Sequence, residues 1–337
     1  MSAKDDLPKR IRVSLGSAIV MKLLRGKLNA EPTTAYLMTY RKGKCAANCA
    51  FCPQARRSHG RVDMLSRVSW PDFPTESVLH GLEVTVNNGR VKRVCLQALN
   101  YPETFAHLIA FTLAIHKRTK APVSISCQPL NGENIRRLAE AGAERLGISL
   151  DAATEKLFDR VKGASAGGPY RWAKQFKLLE EAVKVFGRNK VSTHLILGLG
   201  ETEEETVRLV QRCVDMGVVP SLFAFTPIPG TILEDESPPS VQKYRRVQVA
   251  RYLIVHGIAG HADMRFDGDG CLISFGVEAQ TLERILQSGK PFVTSGCPDC
   301  NRPYYNEKPT GPLYNFPTTL TEEEKASVRK ELELKGA

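Results

Sequence analysis

The sequence predicts an α/β fold: a parallel (βα) barrel, full or partial, followed by an irregular, cysteine-bearing C-terminal tail. Three observations carry this expectation. Strand-like and helix-like stretches alternate from Thr33 to residue 288 in units of roughly 25 to 45 residues, as parallel strands joined by crossover helices do. Residues suited to chemistry follow strands directly, with Cys45 after Thr33–Thr39 and Gly198 after Lys190–Leu197. The carboxyl edge of a parallel sheet is where such folds build their sites. From Cys297 onward the periodicity gives way to Pro, Asn, Tyr and Gly. The expected organisation is an extension over 1–32, the barrel over 33–290, and a tail over 291–337 that holds a Cys-Pro-Asp-Cys segment and a terminal helix.

Taken in order, Ser17 to Leu28 has the apolar spacing of a helix that covers one end of the barrel. Residues 75–87 follow as a helix, Arg93–Gln97 as a strand, and Pro102–Lys117 as a helix with proline in its first turn. Val123–Cys127 is a strand with a helix after it to Ala141, and Arg145–Leu150 is the next strand. Thr154–Val161 and Tyr170–Phe186 are helical, joined by the small-residue run GASAGGP. Lys190–Leu197 and Ser221–Thr226 are strands flanking a helix over Glu203–Met216. A helix over 240–256, short strands near His261–Phe266 and Leu272–Phe275, and a helix over 277–288 complete the barrel. The charged helix from Thr321 has the look of a solvated one.

Composition sets bounds. The chain has 337 residues, 42% hydrophobic and 25% charged, which is ample for a large core. No run reaches the ~18 to 20 apolar residues of a membrane span, and the first residues, MSAKDDLPKRIRV, lack the apolar centre of a signal peptide. A cytoplasmic protein is expected, in which thiols stay reduced and clustered cysteines serve as metal ligands. The net charge of +11 favours acidic partners. The basic residues are dispersed and no RNA-binding module is recognisable, so nucleic acid is disfavoured.

The segment KCAANCAFCPQ, residues 44–54, places Cys45, Cys49 and Cys52 within eight residues. Three thiolates at this spacing hold three irons of a cubane and leave the fourth open to a small chelating ligand. A structural zinc loop or three core cysteines are the alternatives. Zinc normally takes four ligands in paired short spacings, and core cysteines seldom crowd so closely. LILGLGET, residues 195–202, ends a strand with Gly198, Gly200 and Glu201, glycines that allow close approach to backbone. Ser149 and Asp151 stand two apart at another strand end, on one face. Asp151 or Thr154 also suits a helix N-cap. Cys297 and Cys300 have half-site metal spacing, while Cys95 and Cys127 end consecutive strands at the barrel mouth. Cys271 is a competing ligand, and Cys213 sits mid-helix as core.

With Phe51 before the last cysteine, the Cys45–Cys49–Cys52 spacing resembles the signature of radical S-adenosylmethionine (SAM) enzymes. The resemblance implies that these cysteines hold a SAM-cleaving [4Fe-4S] cluster, from which a 5′-deoxyadenosyl radical arises. It implies that Ile196 in the Gly198–Gly200–Glu201 element lies along the adenine, and that Ser149 and Asp151 take the ribose. The usual Gly-Gly-Glu element is absent. LQALN, Leu96–Asn100, stands in its place, with backbone carbonyls near Ala98 as substitutes and Arg171 or Lys174 as a partner for the SAM carboxylate. Cys95 and Cys127 sit where biotin synthase carries two auxiliary-cluster cysteines, but Ser192 replaces the third. Cys297 and Cys300 are inferred to replace the missing ligands of an auxiliary [4Fe-4S] cluster. Together, CAANCAFCPQAR, CQPLN and CPDCNRPYYNEKPTGPLYNFP resemble the archaeal biotin-synthase-related family, one branch of which supplies a component of a two-protein lipoyl synthase.

That resemblance implies sulfur insertion into an octanoyl chain on a carrier protein or peptide, a second radical SAM subunit, and a reductant protein such as ferredoxin. The rival readings are another radical SAM activity (a biotin-synthase-like enzyme, a methylase or an RNA methylthiolase) and, in a different class, a non-catalytic zinc or iron–sulfur interaction protein.

Overall fold

The computed structural model of the protein describes residues 7–308 and 310–332. Its elements run β1 (Arg10–Val13), α1 (Leu15–Val20), β2 (Thr34–Thr39), β3 (Met64–Leu65), β4 (Val68–Ser69), β5 (Asp72–Pro74), α2 (Thr75–Asn87), β6 (Arg93–Gln97), α3 (Thr104–Arg118) and β7 (Val123–Ser126). Then come α4 (Gly132–Glu140), β8 (Arg145–Gly147), α5 (Glu155–Val161), α6 (Trp172–Phe186), β9 (Val191–Leu197), α7 (Glu203–Asp215), β10 (Val218–Ala224) and α8 (Val241–Val255). A hairpin of β11 (Arg265–Phe266) and β12 (Leu272–Ser274), α9 (Ala279–Ser288) and α10 (Glu322–Leu332) follow. The strand–helix alternation expected from the sequence is present throughout.

One eight-stranded sheet has the order β10-β9-β8-β7-β6-β2-β1-β5. The six strands from β2 to β10 pair in parallel. β10 and β5 are its edges, so this is a partial barrel. Each strand divides its side chains by the two-residue period. On β9, Val191, Leu195 and Leu197 enter the main apolar core, while Ser192, His194 and Ile196 line the interior cavity. Likewise Val94 and Leu96 face the core, and Cys95 and Gln97 face inward. Burying each such aliphatic side chain contributes about 1.5–3 kcal/mol, and a one-residue slip would exchange the two faces.

Helix starts follow from local chemistry. Thr202 accepts from Glu205 N–H at 3.1 Å while the Glu205 carboxylate accepts from Thr202 N–H at 2.8 Å, a reciprocal cap on α7. Thr154 accepts from Leu157 N–H at 3.3 Å and caps α5, one of the two N-cap candidates there.

Three expectations are corrected. The residues before β2 do not simply cover a barrel end. β1 joins the sheet, antiparallel to both β2 and β5. The helix expected over Ser17–Leu28 is only Leu15–Val20, because Lys22 adopts φ +59°, a left-handed turn that ends helical hydrogen bonding. Leu23 and Leu28 still pack on the core from irregular backbone. Nor is the terminal helix merely solvated. Val328 and Leu332 of α10 are buried, and Glu331 pairs at 2.8 Å with Arg245 of α8.

The tail spans the gap between the outermost parallel strands. On the β10 side, Ser295 Oγ accepts from Leu222 N–H at 2.9 Å. On the β2 side, Tyr36 O–H accepts from Arg302 N–H at 2.9 Å, and Thr33 N–H donates to Asn301 Oδ1 at 3.0 Å. Irregular chain thus occupies the seam where a closed barrel would have further strands.

Candidate active site

The inward-facing side chains surround a cavity of about 260 Å³ at the carboxyl ends of the parallel strands. Cys45, Cys49 and Cys52 form part of its wall. Their loop is tied down by backbone bonds: Cys45 N–H to Gln54 O at 2.9 Å, Ala46 N–H to Asn100 O at 2.8 Å, and Ala50 N–H to Val161 O at 2.7 Å. Two amides point at sulfur, with Asn100 N–H and Ala47 N–H at 3.1 and 3.4 Å from Cys45 Sγ. Burial pushes the Cys52 thiol up to about 12 and raises Cys49 further. Such thiols are poor free nucleophiles, whereas a bound metal stabilises their deprotonated form.

A second set of thiols converges from separate elements. Cys95 projects from β6, Cys127 follows β7, and Cys297 and Cys300 arrive on the tail; all four line the same cavity. Cys300 Sγ lies 3.3 Å from Tyr36 Oη, and Cys297 Sγ accepts from Ser124 Oγ at 3.5 Å. Burial, then the neighbouring Cys297 and Cys300 sulfurs, raise the Cys95 thiol, and the Arg302 guanidinium works the other way. Cys127 is raised to about 12 by burial alone. Cys271 is elsewhere, in the turn after Asp267, whose carboxylate accepts its N–H at 2.9 Å. It does not line the cavity. Cys213 is fully buried core in α7, as expected. Among the described residues no three His, Cys, Asp or Glu side chains converge as ligands of a single ion would; the thiols line a chamber instead.

The remaining expected residues divide. Ser149, Asp151, Ile196 and Phe51 line the cavity. Gly198, Gly200 and Glu201 do not, although their glycine-rich turn suits a ligand. Glu201 bends back on its own turn, accepting from Gly198 and Leu199 N–H at 2.8 and 2.9 Å and pairing with Lys243 at 2.7 Å. Gly198 has φ +102°, and a Cβ there would meet Pro239 at 2.7 Å, so it serves packing. Arg171 and Lys174 also lie off the cavity. Arg171 precedes α6 and donates to Tyr170 O at 2.7 Å.

Among the described residues two cations line the cavity, and sequence reasoning missed both. Lys162 pairs with Asp151 at 2.6 Å. Arg302 stacks over Phe223, 3.8 Å from the ring centroid. His194 was missed as well; it lines the cavity, Ser149 Oγ lies 3.0 Å from its Nδ1, and burial lowers its pKa to about 4. Lys162 follows a helix and precedes a small-residue run, so its sequence context reads as a linker.

Comparison with known proteins decides the family. Residues 41–213, just over half of the chain, match the family described as the radical SAM superfamily. The chain belongs to the radical SAM superfamily. It is similar to the biotin synthase of Corynebacterium glutamicum (strain R), 26% identical over 203 residues that cover 59% of this chain and 56% of that protein. The biotin synthase of Desulforudis audaxviator is 25% identical over 258 residues, 69% of this chain and 74% of that one. The chain thus spans little more than half the length of some of these relatives. Among solved structures, methylornithine synthase superposes with a TM-score of 0.50 at 15% identity, covering 66% of this chain and 62% of that one. The FeFe-hydrogenase maturase HydG from Carboxydothermus hydrogenoformans gives 0.52 at 16%, covering 72% and 55%. Those two likenesses show the shared fold.

Membership of the radical SAM superfamily implies a [4Fe-4S] cluster and SAM, and the residues present fit them. Cys45, Cys49 and Cys52 face one chamber, none is in a disulfide, and two amides point at Cys45 sulfur. Ser149, Asp151 and Ile196 border the same space. No helix among the described residues is long and apolar enough to cross a membrane.

Proposed function

We propose that this radical SAM enzyme inserts sulfur into a protein-bound octanoyl chain, as a component of a lipoyl synthase. The observation that carries the reading is the opening of two separate thiol sets onto one cavity. When bound, a cluster on Cys45, Cys49 and Cys52 with SAM supplies a hydrogen-abstracting 5′-deoxyadenosyl radical, and a second cluster on Cys95, Cys127, Cys297 and Cys300 supplies sulfide. The protein's part is placement. Both thiol sets bordering one small chamber keeps the attacked carbon near the sulfur source, and such confinement accounts for much of the rate in reactions of this kind. Met38, Phe51, Ile196, Phe223 and Tyr305 make part of the wall apolar, which keeps water and competing hydrogen donors from the carbon.

The relatives named biotin synthase support the reaction class, since forming biotin is itself a sulfur insertion. Ser192, on the cavity wall where the resemblance places a third biotin-synthase cysteine, and the tail pair Cys297 and Cys300 support a different substrate. The net charge of +11 suits an acidic carrier protein and an acidic reductant protein such as ferredoxin. A second radical SAM subunit would complete the two insertions.

The test is an anaerobic reaction of the reconstituted enzyme with SAM, a reductant and an octanoyl-lysine peptide, read by mass spectrometry. The reading expects 5′-deoxyadenosine together with a peptide that has gained sulfur. Formation of 5′-deoxyadenosine with a methylated or sulfur-free product would replace it with another radical SAM activity.

A further inference from the structure

Lys162 is a buried cation on the cavity wall to which neither thiol set nor the proposed reaction assigns a task. Its side chain is 2% exposed and that of its partner Asp151 10%. An apolar pair of similar volume in such a place is often as stable or more so, so stability alone gives little reason to keep these charges. The ammonium has three donors. One goes to Asp151 Oδ2 at 2.6 Å and one to Ser149 O at 2.6 Å. Among the described residues no acceptor takes the third. The Lys162 ammonium lies 5.1 Å from the centroid of Tyr170, which shares the cavity.

The position is fixed by the small-residue run after α5. A Cβ on Gly168 would lie 2.0 Å from the Lys162 carbonyl oxygen, so only glycine lets the chain fold over that point. The same run is bonded to the cysteine loop: Asn48 Nδ2 donates to Ala166 O at 2.5 Å, Arg56 Nη2 to Gly167 O at 3.2 Å, and Ala50 N–H to Val161 O at 2.7 Å. The cation is therefore held in register with the three thiols, near enough that its charge acts on Cys49. Asp151 has φ +67°, a conformation costly for a non-glycine residue and one that concentrates at functional sites.

We propose that Lys162 binds the carboxylate of SAM through its third donor while remaining paired with Asp151, in the role the sequence assigned to Arg171 or Lys174. The proposal rests on membership of the radical SAM superfamily and is independent of sulfur insertion. An anion at this point turns a buried pair into a triad with every ammonium donor satisfied, and charge-assisted bonds of this sort are the strong ones.

The test measures affinity in the reconstituted holoprotein by equilibrium dialysis, with SAM and with 5′-deoxyadenosine, which keeps adenine and ribose but has no carboxylate. Lys162→Met is expected to weaken SAM binding by roughly 10-fold or more while 5′-deoxyadenosine binding changes little. Lys162→Arg should restore most of the loss, and Lys174→Met should bind both ligands as wild type does. A variant combining Lys162→Met with Asp151→Asn removes both buried charges and guards against misfolding. In it the ratio of the two affinities should stay collapsed whatever happens to ribose binding. Equal losses for both ligands in Lys162→Met, or an affinity ratio unchanged in either variant, would overturn the proposal.

Discussion

The two thiol sets that share the cavity are built in opposite ways. Cys45, Cys49 and Cys52 lie in one loop, closed by short-range turns such as Cys52 N–H to Cys49 O at 3.1 Å and anchored to Asn100 and Val161. The second set comes from β6, from the end of β7 and from a tail that crosses from Leu222 on one outer strand to Tyr36 on the other. A contiguous loop can offer its ligands as soon as β2, α5 and the segment after β6 that carries Asn100 are in place. A dispersed set exists only when the sheet has formed and the tail has closed its seam. The first is local and robust, whereas the second depends on the whole fold.

The largest effect that breaks this symmetry is replacement of Cys45, Cys49 and Cys52 together by alanine. SAM cleavage should fall to background, measured as 5′-deoxyadenosine by chromatography, while the protein still folds. Replacing Cys297 and Cys300 should act differently. 5′-Deoxyadenosine should still form, but no sulfur should appear in the peptide. Loss of SAM cleavage in the tail variant as well would mean that the two sets are not separable.

Smaller effects sharpen the contrast between cavity and scaffold. Glu201 is buried and charged, with Lys243 as partner, so Glu201→Ala should destabilise the protein by about 3–5 kcal/mol. Denaturant unfolding would show this, while SAM affinity in the folded holoprotein stays close to that of the wild type. A selective loss of SAM affinity at unchanged stability would return Glu201 to the ligand site. His194 gives a pH signature. Its folded pKa of about 4 lies below the ordinary value of 6.5. Between those values the unfolded chain takes up a proton that the folded one refuses. Stability should therefore fall as pH drops from 6.5 toward 4, by up to about 1.4 kcal/mol per pH unit from this residue, and level off below it. Unfolding midpoints of metal-free wild type and His194→Gln across that range should converge at acid pH if the assignment is right, and run parallel if it is not.

What the sequence made legible follows the same division. Cys95 was legible from its place at the end of a strand, Ser192 and Ile196 from the family resemblance, and all three line the cavity; the cysteine loop is legible because its spacing is its geometry. Lys162 was not, because its meaning comes from Asp151 at 2.6 Å and from a glycine run that has the composition of a linker. Arg302 and Tyr305 were missed because irregular tail sequence carries no period that tells inside from outside. Glu201 lies off the cavity for a reason its sequence does not show. A turn whose amides bind a ligand and one whose amides bind its own carboxylate have the same residues. Cys271 matches the other cysteines in type, and only the fold shows that it lies off the cavity, in the turn after Asp267.

The central claim is that two cluster sites share one cavity, and iron content tests it most directly. After anaerobic reconstitution, iron and acid-labile sulfide would be counted per chain in the wild type, in the Cys45, Cys49, Cys52→Ala variant, and in the Cys297, Cys300→Ala variant, with Cys271→Ser as control. Two four-iron clusters predict about eight irons in the wild type and the control, and about four in each of the other variants. About four irons in the wild type, falling to none when Cys45, Cys49 and Cys52 are replaced and unchanged when Cys297 and Cys300 are, would contradict the account and leave a single-cluster radical enzyme.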